Sequence, residues 1–155
     1  MRELSMGRLK TSERVKDLIA ESTMEHVLDI VQKAKSRILI SSFSDIDQRV
    51  LDAISENGIE DITVILDRNE SDLVRARRGL PGHARILVNT DPAQGPRLIM
   101  HMKAVVADNM VMIGSNNLSP TALESSLELS VAMQDQDLAL DVVQFVDSLV
   151  MPKGL

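Results

Sequence analysis

Apolar positions along the chain change period several times, and each change predicts an element. Val27, Ile30, Val31 and Ala34 follow at helical spacing behind Ser22 and Glu25, which read as a capping box, and predict an amphipathic helix over about residues 23–35. Residues 37–43 (RILISSF) read as a buried strand. Ile46, Val50, Ala53 and Ile54 then repeat the helical period until Asn57-Gly58 stops it. Residues 62–66 (ITVIL) form the next strand. Ser71-Asp72 can cap a short helix, and residues 84–88 (ARILV) resume the sheet after Pro81-Gly82. Two prolines and a glycine make residues 89–97 (NTDPAQGPR) a loop. Residues 98–107 and 110–114 are apolar strands with a tight connection, and residues 127–133 alternate as another strand. Asp137 can cap a last helix, with Val142, Val146, Leu149 and Val150 on one face and Pro152 ending it. The alternation of helices and strands implies crossover connections. It predicts an α/β fold with a mixed, largely parallel sheet and helices on both faces.

Composition narrows this picture without changing it. The chain has 155 residues, 44% hydrophobic and 26% charged, which fits a single domain over 1–155 with its own core and a polar lead-in over 1–22. Cysteine is absent, so no disulfide framework or thiolate metal site is expected. The first residues are charged throughout, with no apolar core for a secretory signal or membrane span, and a cytoplasmic location without membrane attachment is the default expectation. A net charge of -6 disfavours a broad nucleic-acid surface but permits a local basic groove. The aromatics are limited to Phe43 and Phe145, which leaves no interfacial belt and no stacking platform for unpaired bases.

The chemistry concentrates in one stretch. His101, Lys103 and Asp108 stand as H-x-K-x4-D, followed by Gly114-Ser115-Asn116-Asn117. His101 and Lys103 are two apart on an expected strand, so both side chains leave one face roughly 6 to 7 Å apart and can reach one phosphate. A hairpin with Asp108-Asn109-Met110 as a three-residue loop sets Lys103 across from Ser115 and His101 across from Asn117. Val105, Ala107, Val111 and Ile113 then make a dry floor beneath them. By parity Asp108 points away or belongs to the turn, where an Asp commonly hydrogen-bonds its own backbone. Taken singly, each residue has an ordinary reading: Lys103 a snorkelling lysine, the Ser-Asn-Asn run a turn. Only their mutual register raises them.

This pattern resembles the HKD motif of the phospholipase D superfamily. The resemblance covers about residues 97–133 and implies a phosphodiester-cleaving enzyme that needs no metal and no cofactor. In that family the motif histidine attacks phosphorus and a second motif histidine protonates the leaving oxygen. His26 and His83 sit in no comparable context. The chain therefore looks like the small single-motif members, of which the bacterial endonucleases are the best-known type, where a two-fold homodimer brings two motifs together. The resemblance makes His101 nucleophile in one subunit and general acid and base in the other. It assigns the phosphoryl oxygens to Lys103, Ser115 and Asn117, and the orientation of the histidine to Glu128. Asp108 and Gly114 are the structural members. Five residues separate Asp108 from Gly114, where the family usually has six, a difference the three-residue loop is expected to absorb.

Two functions follow, from different classes. The first is a metal-independent phosphodiesterase, expected to be nuclease-like, with Arg75, Arg77 and Arg78 lining a groove for a nucleic-acid backbone; a solvated helix face is the ordinary reading of such a charge run. The second is a non-catalytic ligand-binding or sensor domain of a regulatory system, which has no reason to need His101, Lys103, Ser115 and Asn117 together.

Overall fold

A computed structural model describes residues 15–19, 23–67, 69–88 and 101–150. The two runs of consecutive apolar residues in the first half form central strands: β2 (Arg37–Ser42) and β3 (Asp61–Leu66) are buried on both faces along nearly their whole length. The other strands are β1 (Val15–Ile19), β4 (Arg85–Val88), β5 (Ala104–Ala107), β6 (Met110–Gly114) and β7 (Ser130–Gln134). The helices are α1 (Thr23–Lys33), α2 (Gln48–Asn57), α3 (Glu70–Gly79), α4 (Pro120–Glu124) and α5 (Gln136–Val150). Among the described residues no helix is long and apolar enough to cross a membrane.

The seven strands form one mixed sheet in the order β1-β7-β6-β5-β2-β3-β4. Helices cover both faces, as the alternating pattern predicts. One core cluster joins Val27, Val50, Ile54 and Ala76 of α1, α2 and α3 to Ile38, Ile40, Val64 and Val105 of the sheet. The second joins Ala139 and Val146 of α5 to Leu39, Ile65, Val106 and Val111 on the opposite side. The parallel share is smaller than expected. Among the described residues only β2, β3 and β4 pair in parallel, through the α2 and α3 crossovers, while β5, β6, β7 and β1 join antiparallel. The physical reason is connection length: β5 and β6 are joined by a turn too short for a crossover.

Local chemistry sets the boundaries. The Asp47 side chain caps α2 at Arg49 N, and Gly58 ends that helix in the left-handed region (φ 77°), as Asn57-Gly58 predicts. Asn69, rather than Ser71-Asp72, caps α3 by accepting from both their amides, and Asp135, rather than Asp137, caps α5 by accepting from Leu138 N at 3.1 Å. Two elements escaped the pattern. β1 lies within the polar lead-in as an edge strand paired with β7. α4 is a single turn capped by Ser119 with Pro120 at its start. Ser22, the expected loop over 89–97, the strand residues 98–100 and Pro152 lie outside the described residues.

The β5–β6 hairpin turns on two residues, Asp108 and Asn109, so Ala107 pairs with Met110. The expected three-residue loop is thus corrected by one position. Asp108 makes the tighter turn possible by adopting a positive φ of 52°, a conformation Asp tolerates better than most residues. Its carboxylate does not bond its own backbone. It accepts from Lys35 N (2.7 Å), Ser36 N (2.8 Å), Ser36 Oγ (2.8 Å) and Arg37 N (3.0 Å), while its own amide donates to Arg37 O (3.1 Å). The turn of the hairpin is thereby fastened to the chain entering β2.

Burial pushes the Asp108 carboxyl up, but hydrogen bonds from the Ser36 hydroxyl and from the amides of Ser36, Lys35 and Arg37 outweigh it and hold it below its usual value. Asp108→Asn is expected to cost roughly 1–3 kcal/mol in urea unfolding at pH 7. Because the folded value is depressed, the wild-type advantage is complete above the unfolded value of about 3.9 and shrinks as pH falls below it. An advantage that stays constant from neutral to strongly acidic pH contradicts the clamp.

Candidate active site

β2 ends, β5 begins and β6 ends at the same edge of the molecule, opposite the Asp108 turn. The motif residues collect there. His101 and Lys103 precede the first paired residue of β5, Ala104. Lys103 Nζ lies 3.1 Å from His101 Nδ1 and 3.2 Å from Nε2, and donates to His101 O at 3.0 Å. Burial pushes the Lys103 ammonium below its ordinary value, and the charge of Glu128 opposes that shift. The ring of Phe43, just past β2, contacts His101 with centroids 4.8 Å apart at 59°, and Lys103 Nζ lies 5.9 Å from the Phe43 centroid.

The second half of the motif leaves β6 and bends. With Ala107 opposite Met110, the ladder places Lys103 level with Gly114 rather than Ser115. The floor changes accordingly: Val105, Ala107 and Met112 belong to the core on the α1 and α2 side, whereas Val111 packs toward α5. Ser115 joins the site through the bend. Its hydroxyl donates to Glu128 and accepts from Leu129 N at 3.0 Å, while Ser115 N donates to Leu129 O at 3.0 Å. Asn117 Oδ1 accepts from Phe43 N at 3.1 Å. Asn116 is buried, receives Ser130 Oγ and donates to Ala122 O, so it supports the bend from below.

Glu128 departs from its expected position. It sits just before β7 and engages Ser115 instead of His101. Gly114 has a steric reason to be glycine: a Cβ there would stand under 3.0 Å from Ser130 Oγ and Leu129 O. The arginines do not form one group. Arg75 pairs with Asp45 in the β2–α2 loop, whereas Arg77 and Arg78 occupy the last turn of α3, which runs away from the His101 edge toward the start of β4. His83 Nε2 lies 3.0 Å from Ile59 O, and His26 lines a polar depression of 470 Å³ beside the Asp108 turn; neither joins His101. Sequence reasoning passed over Phe43, Ser41 and Ser42. The signal available was that SSF follows the aliphatic run Ile38-Leu39-Ile40 of the strand.

The site and fold together define a class of domain: a mixed α/β sheet that carries a His-Lys pair beside a Gly-Ser-Asn-Asn bend. A model of the family described as "cardiolipin synthase, PLD-like domain" matches residues 27–150. The chain belongs to this phospholipase D-like family. Its fold is similar to that of NucT from Helicobacter pylori (18% identity, 86% of this chain and 94% of that one, TM-score 0.70). It is also similar to Nuc from Salmonella typhimurium, a phospholipase D family member (21% identity, 81% and 84%, TM-score 0.65). A phosphatidylserine synthase from Haemophilus influenzae Rd KW20 shares the fold over 92% of this chain but 38% of its own (19% identity, TM-score 0.71). No curated protein sequence matches.

Gly114→Ala is expected to lower stability by about 1–3 kcal/mol, since the added methyl meets backbone and a buried hydroxyl. Gly82→Ala, with nothing within 4 Å of its Cβ, should leave the thermal midpoint nearly unchanged. Equal midpoints for both variants would remove the close-approach explanation.

Proposed function

We propose that the protein is a metal-independent phosphodiesterase of nuclease-like type that works as a homodimer. The observation that carries this reading is the convergence of His101, Lys103, Ser115 and Asn117 at one edge of the sheet, with no second histidine beside His101 among the described residues. In the proposed reaction a ring nitrogen of His101 attacks phosphorus as the bond to the leaving oxygen breaks. His101 of the second subunit gives that oxygen its proton. It then takes a proton from water, whose oxygen attacks the phosphohistidine and restores the first histidine. Lys103, Ser115 and Asn117 carry the charge of the phosphoryl oxygens. Ser115 is held by Glu128 in the resting arrangement, and a phosphoryl oxygen takes over that hydroxyl on binding.

A two-fold pairing is supported by apolar surface beside the site. Ile113, Leu129 and Phe145 are about half exposed and Leu127 is almost fully exposed, and Ile113 and Phe145 share a groove of about 400 Å³ with Lys103 and Gly114. The substrate is a phosphodiester, with nucleic acid the leading class. Arg75 is the one member of its trio near the β2–α2 loop at this edge, so any backbone contact is short.

Hydrolysis of a chromogenic phosphodiester, with DNA in parallel, is expected to persist in excess EDTA and to fall by about three orders of magnitude or more in His101→Asn. Solution mass should correspond to two chains. Activity lost to EDTA, or retained in His101→Asn, contradicts the mechanism, and a strict monomer removes the general acid. A folded dimer that turns over no diester favours the ligand-binding alternative.

A further inference from the structure

β2 ends in Ser41 and Ser42, with Phe43 just beyond it, and each of the three holds a different part of the motif. Ser41 Oγ accepts from Ala104 N at 2.9 Å, directly after Lys103. Ser42 Oγ accepts from Leu118 N at 3.1 Å, directly after Asn117. Both serines are buried, so these bonds are made away from water and leave little freedom in the strand end. Phe43 follows immediately. Its amide fixes the Asn117 side chain and its ring meets the imidazole of His101.

Packing alone does not account for this ring. Phe43 is one of two aromatic residues in the chain and stays 37% exposed, outside both core clusters. The imidazole it touches is itself exposed and precedes the paired part of β5. Lys103 Nζ reaches both ring nitrogens at nearly equal distance and so does not select one imidazole orientation. A tilted aromatic pair at 4.8 Å does restrict the plane of its partner.

We infer that Phe43 is a positioning residue: its ring sets the plane of the His101 imidazole while its amide sets Asn117, so one residue aligns the nucleophile with a phosphoryl-oxygen ligand. The inference rests on the phosphodiesterase reading above. Phe43 acts through His101 and Asn117 and needs no contact with substrate. Misplacement of a reacting group by a fraction of its working distance is costly in rate, which makes a contact of this kind visible in kcat.

The test compares wild type, Phe43→Leu, Phe43→Tyr and His101→Asn by kinetics on a chromogenic phosphodiester and by NMR of the histidine rings. Leucine keeps the amide that holds Asn117 and removes only the aromatic face. Phe43→Leu is expected to lower kcat about 10- to 100-fold with KM within about twofold, and Phe43→Tyr to recover most of the rate. Unchanged kcat in Phe43→Leu, equal losses in Leu and Tyr, or a loss confined to KM overturns the inference; the last makes the ring a substrate contact. The NMR arm is independent of turnover. His101 ring protons should carry a ring-current shift that Phe43→Leu abolishes and Phe43→Tyr keeps, with His26 and His83 unmoved. If wild type and His101→Asn hydrolyse alike, the phosphodiesterase reading fails; a ring-current shift then still upholds the positioning contact, and its absence overturns it.

Discussion

The β5–β6 hairpin is the constraint on which the rest of the structure depends. Its closed end is fastened by one carboxylate, Asp108, that gathers three amides and a hydroxyl from the chain entering β2. Its open end carries His101 and Lys103 on one side and Gly114 to Asn117 on the other. Because a two-residue turn admits a single pairing, the level of Lys103 against Gly114 is settled at Asp108, at the far end of the strands from the chemistry. The acidic residue of the motif thus governs geometry without approaching the histidine.

The open end is stabilised by buried polar groups that are individually expensive and collectively satisfied. Ser41, Ser42, Asn116 and Ser130 are all buried, and each has a partner among the strand ends and the bend that follows β6. Asp47 extends the arrangement: it is buried, held below its usual carboxylate value chiefly by the Arg49 side chain, and Arg49 continues to Glu124 of α4. Its amide also donates to Leu118 O. The segment after the motif is therefore tied to both β2 and α2. Apolar residues of the right size would serve stability as well, but they would not specify where each chain must bend.

Membership of the phospholipase D-like family sits beside identities near one fifth to the solved structures of similar fold. The core needs aliphatic runs of the correct period, which many sequences supply, whereas the hairpin ends need particular residues: an Asp tolerant of positive φ, a glycine where β7 presses close, and short hydroxyl side chains at the end of β2.

The positions and types of most elements were legible, because helices here bury one face at a period of 3.6 residues and the central strands, buried on both faces, read as short aliphatic runs. The edge strand β1 and the single turn α4 were not, since the sequence VKDLI shows no alternation and one turn shows no period. The spacing of His101, Lys103, Ser115 and Asn117 was enough to single these residues out as candidates and to separate Asp108 from them. It could not place Glu128 on Ser115, divide Arg75 from Arg77 and Arg78, or bring Phe43 to His101, because those contacts join segments that only the sheet order makes neighbours. By itself the sequence determined most of the elements, the family and the candidate chemistry, all of which are local patterns of residue type. The tertiary structure alone decided the one-residue register of the hairpin and the company His101 keeps, since both depend on backbone conformation at Asp108 and on β5 lying between β2 and β6.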